Sequence, residues 1–106
     1  MDIIILGYTG FVGSSIYNFL LKNSSLSLVG ANSKNCDLLS EKKTKKFFNN
    51  KNNFILIFCS SIVRTKGDTV KNYYKNIKMM ENFSKALLGK KIIKIIYCIL
   101  VLHKLQ

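Results

Sequence analysis

The chain has 106 residues with a formal net charge of +12, is 48% hydrophobic, and contains neither Trp nor Pro. That length is one domain or part of one, able to bury roughly two-thirds of its unfolded surface, and the apolar content excludes a disordered tail. Asp2 stands where a secretory leader would carry basic residues, and no apolar stretch is long enough to span a bilayer, so no membrane association is expected and the cytosol is the expected location.

Taken in chain order, the elements alternate. Asp2 to Leu6 is a short apolar run and reads as a buried strand. The first helix is expected from about Phe11 to Lys22, with Val12, Ile16, Phe19 and Leu20 on one face. Leu26 to Gly30 is the second strand, and a polar loop from Ala31 to Asp37 follows. Ser40 can cap a short helix through Phe48, and the Asn-rich stretch Asn49 to Asn53 is a surface turn. Phe54 to Phe58 is the third strand, apolar throughout and so covered on both faces, as in a parallel sheet.

Asp68 or Thr69 caps the longest helix, which ends near Leu88 with Gly89 as its stop. Its stripe of Val70, Tyr73, Ile77, Met80, Phe83 and Leu87 has helical spacing and is expected in the core. Ile92 to Leu102 is the fourth strand. Strand–helix alternation with right-handed crossovers gives an α/β fold, a Rossmann-like doubly wound parallel sheet of about four strands, with helices on both faces. The expected strand order is 2-1-3-4, so the ligand crevice lies at the carboxyl ends of the first and third strands, where the order reverses. Residues 1–98 make this incomplete domain, and residues 99–106 are a divergent tail extending the last strand.

The chemistry concentrates where the first strand breaks into Gly7-Tyr8-Thr9-Gly10-Phe11-Val12-Gly13. A glycine-rich turn between a buried strand and a helix is how dinucleotide-binding folds hold a pyrophosphate. Gly7 allows the tight turn, Gly10 admits the phosphates to the backbone, and Gly13 lets the helix pack on the strand. Amides at the helix start then face the anion, aided by the positive end of the helix dipole. The predicted topology brings Cys59-Ser60-Ser61 to the same crevice. A plain strand-end loop is the competing reading for that stretch.

The 17 Lys and Arg residues call for a partner or a reason. The lysines are spread over several elements, and the only Arg is Arg64, whereas nucleic-acid surfaces favour Arg for bidentate contacts. Abundant Lys, Asn, Ile and Phe together fit an A- and T-rich coding bias, so a solvated surface is preferred to a nucleic-acid partner. Cys36, Cys59 and Cys98 are odd in number and widely spaced, with His103 the sole histidine; reduced thiols are expected, without a metal site.

Four stretches carry a resemblance: Gly7-Tyr8-Thr9-Gly10-Phe11-Val12-Gly13-Ser14, Cys36-Asp37-Leu38, Leu56-Ile57-Phe58-Cys59-Ser60-Ser61, and Tyr74-Lys75-Asn76 leading into Asn82. Up to about Cys98 the chain resembles the N-terminal part of the extended short-chain dehydrogenase/reductase family, the NAD-dependent epimerases and dehydratases acting on nucleotide sugars. The compact spacing from the second strand to Asp37-Leu38 is similar to the branch containing dTDP-4-dehydrorhamnose reductase and GDP-fucose synthase.

The resemblance implies a dinucleotide cofactor, with Gly7 to Gly13 on the pyrophosphate. It sets Asp37 and Leu38 by the adenine, and Cys59, Ser60 and Ser61 against the ribose where Ala-Ala is usual. After the second strand an acidic residue would favour NAD. Here Ala31-Asn32-Ser33-Lys34 follows, and Ser33 with Lys34 could receive a 2′-phosphate, so NADP is preferred to NAD. The competing reading makes Lys34 one more surface lysine.

Tyr74 and Lys78 have the family's Tyr-x-x-x-Lys spacing but come too early in the chain, and the match reads as coincidence. Lys94 to Cys98 resembles the strand that leads into the catalytic Ser-Ser or Ser-Thr pair, yet Ile99 to Gln106 follows instead. The expectation is therefore a truncated product, binding cofactor without catalysis, the nucleotide-sugar substrate belonging to the full-length family. A non-catalytic dinucleotide-binding module and, third, a basic nucleic-acid-binding domain are the alternatives. The last strand would become an apolar edge prone to self-association.

Overall fold

The structure, a computed structural model, describes residues 1–23, 25, 27–60 and 70–98. Its elements are β1 (Asp2–Leu6), α1 (Phe11–Asn23), β2 (Ser27–Ala31), α2 (Glu41–Phe48), β3 (Phe54–Phe58), α3 (Val70–Ala86) and β4 (Ile92–Tyr97). The strands form one parallel sheet in the order β2-β1-β3-β4. Ile4 pairs with Val29 on one side and Leu56 on the other, and Leu56 pairs in turn with Ile95.

Side-chain alternation along β1 and β3 divides the core in two. Ile4, Leu6, Phe54, Leu56 and Phe58 face α2 and α3, where they join Phe48, Phe83 and Ala86. Ile3, Ile5 and Ile57 face the other way, against Ile16, Tyr17 and Leu20 of α1. The helices thus cover both sheet faces, as the doubly wound reading requires. The first cluster is aromatic: Phe48 meets the rings of Phe54 and Phe83 at 5.9 and 6.4 Å, and Phe83 meets Phe58 at 4.7 Å.

Local chemistry fixes the ends of the elements. Ser40 caps α2, its hydroxyl accepting from the Lys43 amide at 3.2 Å. Thr44, fully buried, has its hydroxyl 3.0 Å from the Asp37 carbonyl and 2.8 Å from that of Ser40, so it can donate to either. That contact ties the Asp37 loop to the helix. Beyond α3, Gly89 takes a φ of +77° and stops the helix as expected. Asp68, Thr69 and the stretch 99–102, part of the expected helix cap and last strand, lie outside the described residues.

Two apolar stripes are placed differently from the expectation. Val70, Tyr73, Ile77 and Met80 of α3 are exposed, and only Phe83 and Leu87 of that stripe turn inward. The buried face of α3 is instead Met79, Asn82, Phe83 and Ala86. Asn82 explains the rotation, because its side-chain amide donates to the Leu38 carbonyl at 2.8 Å and a polar residue thereby occupies a core position. On α1, Phe19 is 64% exposed, since Gly13, Ile16, Tyr17 and Leu20 face the sheet. β4 is the outer strand, with Ile93, Ile96 and Tyr97 exposed and its register shifted between the partners of Phe54 and Ile55.

Candidate functional site

The β1–α1 turn is shaped by close backbone approach. Gly7 has a φ of +82°, a region that side chains disfavour, and a Cβ there would stand 3.0 Å from the Cys59 carbonyl. At Gly13 a Cβ would collide with the Gly7 carbonyl, so the helix lies directly on the end of β1. Gly7 donates its amide to the Ala31 carbonyl at 2.7 Å, and Gly10 donates to the Gly7 carbonyl at 3.0 Å.

The helix start is open. Ser14 donates to the Gly10 carbonyl at 2.9 Å, just as Thr44 donates to the Ser40 carbonyl at the start of α2. Gly10 therefore holds the capping position of α1 but brings no side chain to it. The amides of Phe11, Val12 and Gly13 precede the first bond of their own helix. They form a set of aligned donors at the positive end of a 13-residue helix. A Cβ on Gly10 would meet only the Gly7 carbonyl, at 3.4 Å, so packing alone does not demand glycine there.

A cleft of about 320 Å³ runs from this turn across the sheet end. Gly7, Thr9 and Gly10 line one side, Ser33, Asp37 and Leu38 another, and Cys59 and Ser60 the β3 end. Three separate stretches singled out in the sequence thus meet at one place, where the strand order reverses. Leu38 is buried, while one Asp37 carboxylate oxygen accepts from the Leu39 amide at 3.0 Å.

Other singled-out residues stand around this cleft. The Tyr8 ring packs on Tyr17, with centroids 5.0 Å apart, and lies where a Cβ on Gly30 would be. Phe11 is exposed and Val12 half-buried at the start of α1. Lys34 lies beyond Asp37, in a hollow shared with Lys43, Lys46 and Lys51, and its amide donates to the Asn32 side chain at 2.9 Å. Ser61 lies outside the described residues.

Asn32, Cys36, Leu39 and Met79 also line the cleft and were not singled out as site residues. Burial, reinforced by the Asp37 carboxylate, pushes the Cys36 thiol up to about 12, which makes it a neutral wall. Tyr74 and Lys78 sit outside the cleft on α3, Tyr74 packed on Tyr73 and Lys78 3.9 Å from Glu81. A broader hollow on the outer face of α3 is walled by that helix alone.

The profile of the NAD dependent epimerase/dehydratase family matches residues 3–99. The chain belongs to that family. Among curated protein sequences none matches this epimerase/dehydratase-family chain. Solved structures share its fold. A GDP-6-OMe-4-keto-L-xylo-heptose reductase from C. jejuni superposes with a TM-score of 0.78 at 18% identity, over 91% of this chain and 28% of its own.

A dTDP-4-dehydrorhamnose reductase from Clostridium acetobutylicum gives 0.69 at 25% identity, over 87% of this chain and 34% of its own. A GDP-L-fucose synthetase from Naegleria fowleri, bound to NADP, gives 0.73 at 22% identity, over 92% of this chain and 30% of its own. This member of the family therefore spans about a third or less of the length of these neighbours. Among the described residues no helix is long and apolar enough to cross a membrane.

Proposed function

We propose that this chain is the cofactor-binding portion of a nucleotide-sugar epimerase, dehydratase or reductase, holding the pyrophosphate of NADP or NAD on the turn Gly7 to Gly13. The observation that carries the reading is the uncapped start of α1, whose first amides open onto a cleft that Gly10 leaves clear. Asp37 and Leu38 would take the adenine, and Cys59, Ser60 and Ser61 the ribose. Ser33 at the cleft offers a hydroxyl donor, and Lys34 among three further lysines supplies positive charge, together suited to a 2′-phosphate, which favours NADP. When bound, a nicotinamide cofactor supplies hydride transfer; these residues bind and orient it.

No residue of this chain would act in catalysis. Tyr74 and Lys78 point to no reacting group at the cleft, and the substrate would be met by parts present in the longer relatives. A non-catalytic dinucleotide-binding module is the second reading, favoured by that same placement of Tyr74 and Lys78 on the outer side of α3. Thermal unfolding with NADP and NAD tests the cofactor claim. At roughly a hundredfold excess over Kd, binding stabilises the fold by roughly 2.7 kcal/mol. The larger shift is expected with NADP, and no shift with either overturns the proposal.

Self-association through β4 belongs to the same reading, because its outer edge carries exposed Ile93, Ile96 and Tyr97. Light scattering that finds a monodisperse monomer at high concentration contradicts it. We place the protein in the cytoplasm, and its three cysteines are free thiols in this structure.

A further inference from the structure

The fold treats the three cysteines unequally. Cys36 is buried beside Asp37, whereas Cys59 and Cys98 are half-buried and lie together. They are the next residues after Phe58 and Tyr97, the last paired positions of β3 and β4. Sheet bonding continues through them: the Cys59 amide donates to the Leu6 carbonyl at 2.9 Å, and the Cys98 amide to the Phe58 carbonyl at 2.9 Å.

Side-chain geometry then brings the sulfurs together. Both side chains pack on the α1 face of the sheet, against the cluster of Ile3, Ile5 and Ile57. Continuing the β3–β4 register, the two cysteines stand side by side on adjacent parallel strands. Neighbouring strands run about 4.8 Å apart, inside the range of about 4.4–6.8 Å between Cα atoms that a disulfide bridges.

We propose that Cys59 and Cys98 are a redox modification site, joined reversibly by an intramolecular disulfide at the β3–β4 end of the cleft. The oxidant is a low-molecular-weight disulfide such as oxidised glutathione. One cysteine loses its proton to solvent, and its thiolate attacks a sulfur of that disulfide. The small S–S bond breaks, one small thiolate leaves and takes up a proton, and a mixed disulfide remains. The second cysteine, deprotonated in turn, attacks the protein-bound sulfur, forms the Cys59–Cys98 bond and expels the other small thiolate. Two electrons pass from the protein thiols to the small disulfide, which ends as two thiols.

Burial and the adjacent Cys98 push the Cys59 thiol up to about 12, so its thiolate is scarce near neutrality. That slows the exchange and leaves its end point to the geometry. The bond ties the outer strand to β3.

The test uses the full chain, dilute and reduced, incubated with oxidised glutathione, acid-quenched, alkylated under denaturant and mapped by peptide mass. The expected result is a linked Cys59–Cys98 peptide pair with Cys36 alkylated, reversed by dithiothreitol. Cys98→Ser should stop at glutathione held on Cys59, and Cys59→Ser at glutathione held on Cys98, with the internal link lost from both. A parallel sample oxidised in urea should lose the preference and also show pairs involving Cys36. Glutathione retained on either residue of the parent chain, a Cys36 link in the folded sample, links only between chains, or three alkylated cysteines would each overturn the proposal. Cofactor binding is read separately by thermal shift, so either claim can fail alone.

Discussion

Gly13→Ala and Gly10→Ala make the most informative pair of substitutions, because they separate packing of the turn from clearance for a ligand. In a helix interior, Ala is favoured over Gly by about 1 kcal/mol. At Gly13 that gain is opposed by a Cβ driven into the Gly7 carbonyl, and backbone cannot swing aside as a side chain can. Overpacking of this kind costs about 1–3 kcal/mol, and the upper end applies where backbone is struck. The net loss is then about 2 kcal/mol, lowering the melting midpoint of a chain this size by about 8–16 °C.

At Gly10 the new Cβ has one neighbour, 3.4 Å away, and its φ is not in the left-handed region. Gly10→Ala should therefore melt within a few degrees of the parent chain but lose most of the stabilisation by NADP. Both measurements come from one thermal series, with and without nucleotide. A Gly13→Ala protein that melts at or above the parent, or a Gly10→Ala protein with an undiminished NADP shift, would refute the geometry assigned to the turn.

Phe48→Ala removes a fully buried ring at the centre of the aromatic cluster and should cost about 3–5 kcal/mol in urea unfolding; a loss below 1 kcal/mol would contradict the burial. Asn82→Ala leaves the Leu38 carbonyl without its buried donor and should cost about 1–3 kcal/mol, with adenine-side affinity falling as well. Lys34→Glu should weaken NADP at least several-fold in a titration and leave NAD nearly unchanged. Equal losses for the two nucleotides would remove Lys34 from the 2′-phosphate assignment.

Most of the architecture could be read from the chain because its strands announce themselves twice. Phe54 to Phe58 is apolar at every position, as a strand covered on both sides must be. The glycines before α1 mark the turn on their own. Ser40, ahead of a lysine-rich helix, was recognisable as a cap from residue type and spacing.

The misreadings share one cause. Helical periodicity reports that a stripe exists but not which of two neighbouring stripes meets the core. On α3 the stripe through Tyr73, Ile77 and Met80 is the more apolar, yet the buried one contains Asn82 and Ala86. Only the distant Leu38 carbonyl, 44 residues away, makes that asparagine a core residue. Likewise Cys36 and Met79 join the cleft through contacts between separate elements, for which local sequence carries no sign.

The unequal filling of the two sheet faces has a consequence for motion. On one side four phenylalanines, Phe48, Phe54, Phe58 and Phe83, interlock across two helices. On the other, among the described residues, one helix rests through Ile16, Tyr17 and Leu20 on a smaller cluster of three buried isoleucines. Detaching α1 therefore disrupts far less than separating the opposite layer, and its amides should exchange with deuterium through partial opening before β1 and β3 give up theirs. A nucleotide spanning from that helix to the β3 terminus would act as a clasp on the looser half of the molecule, slowing exchange there first.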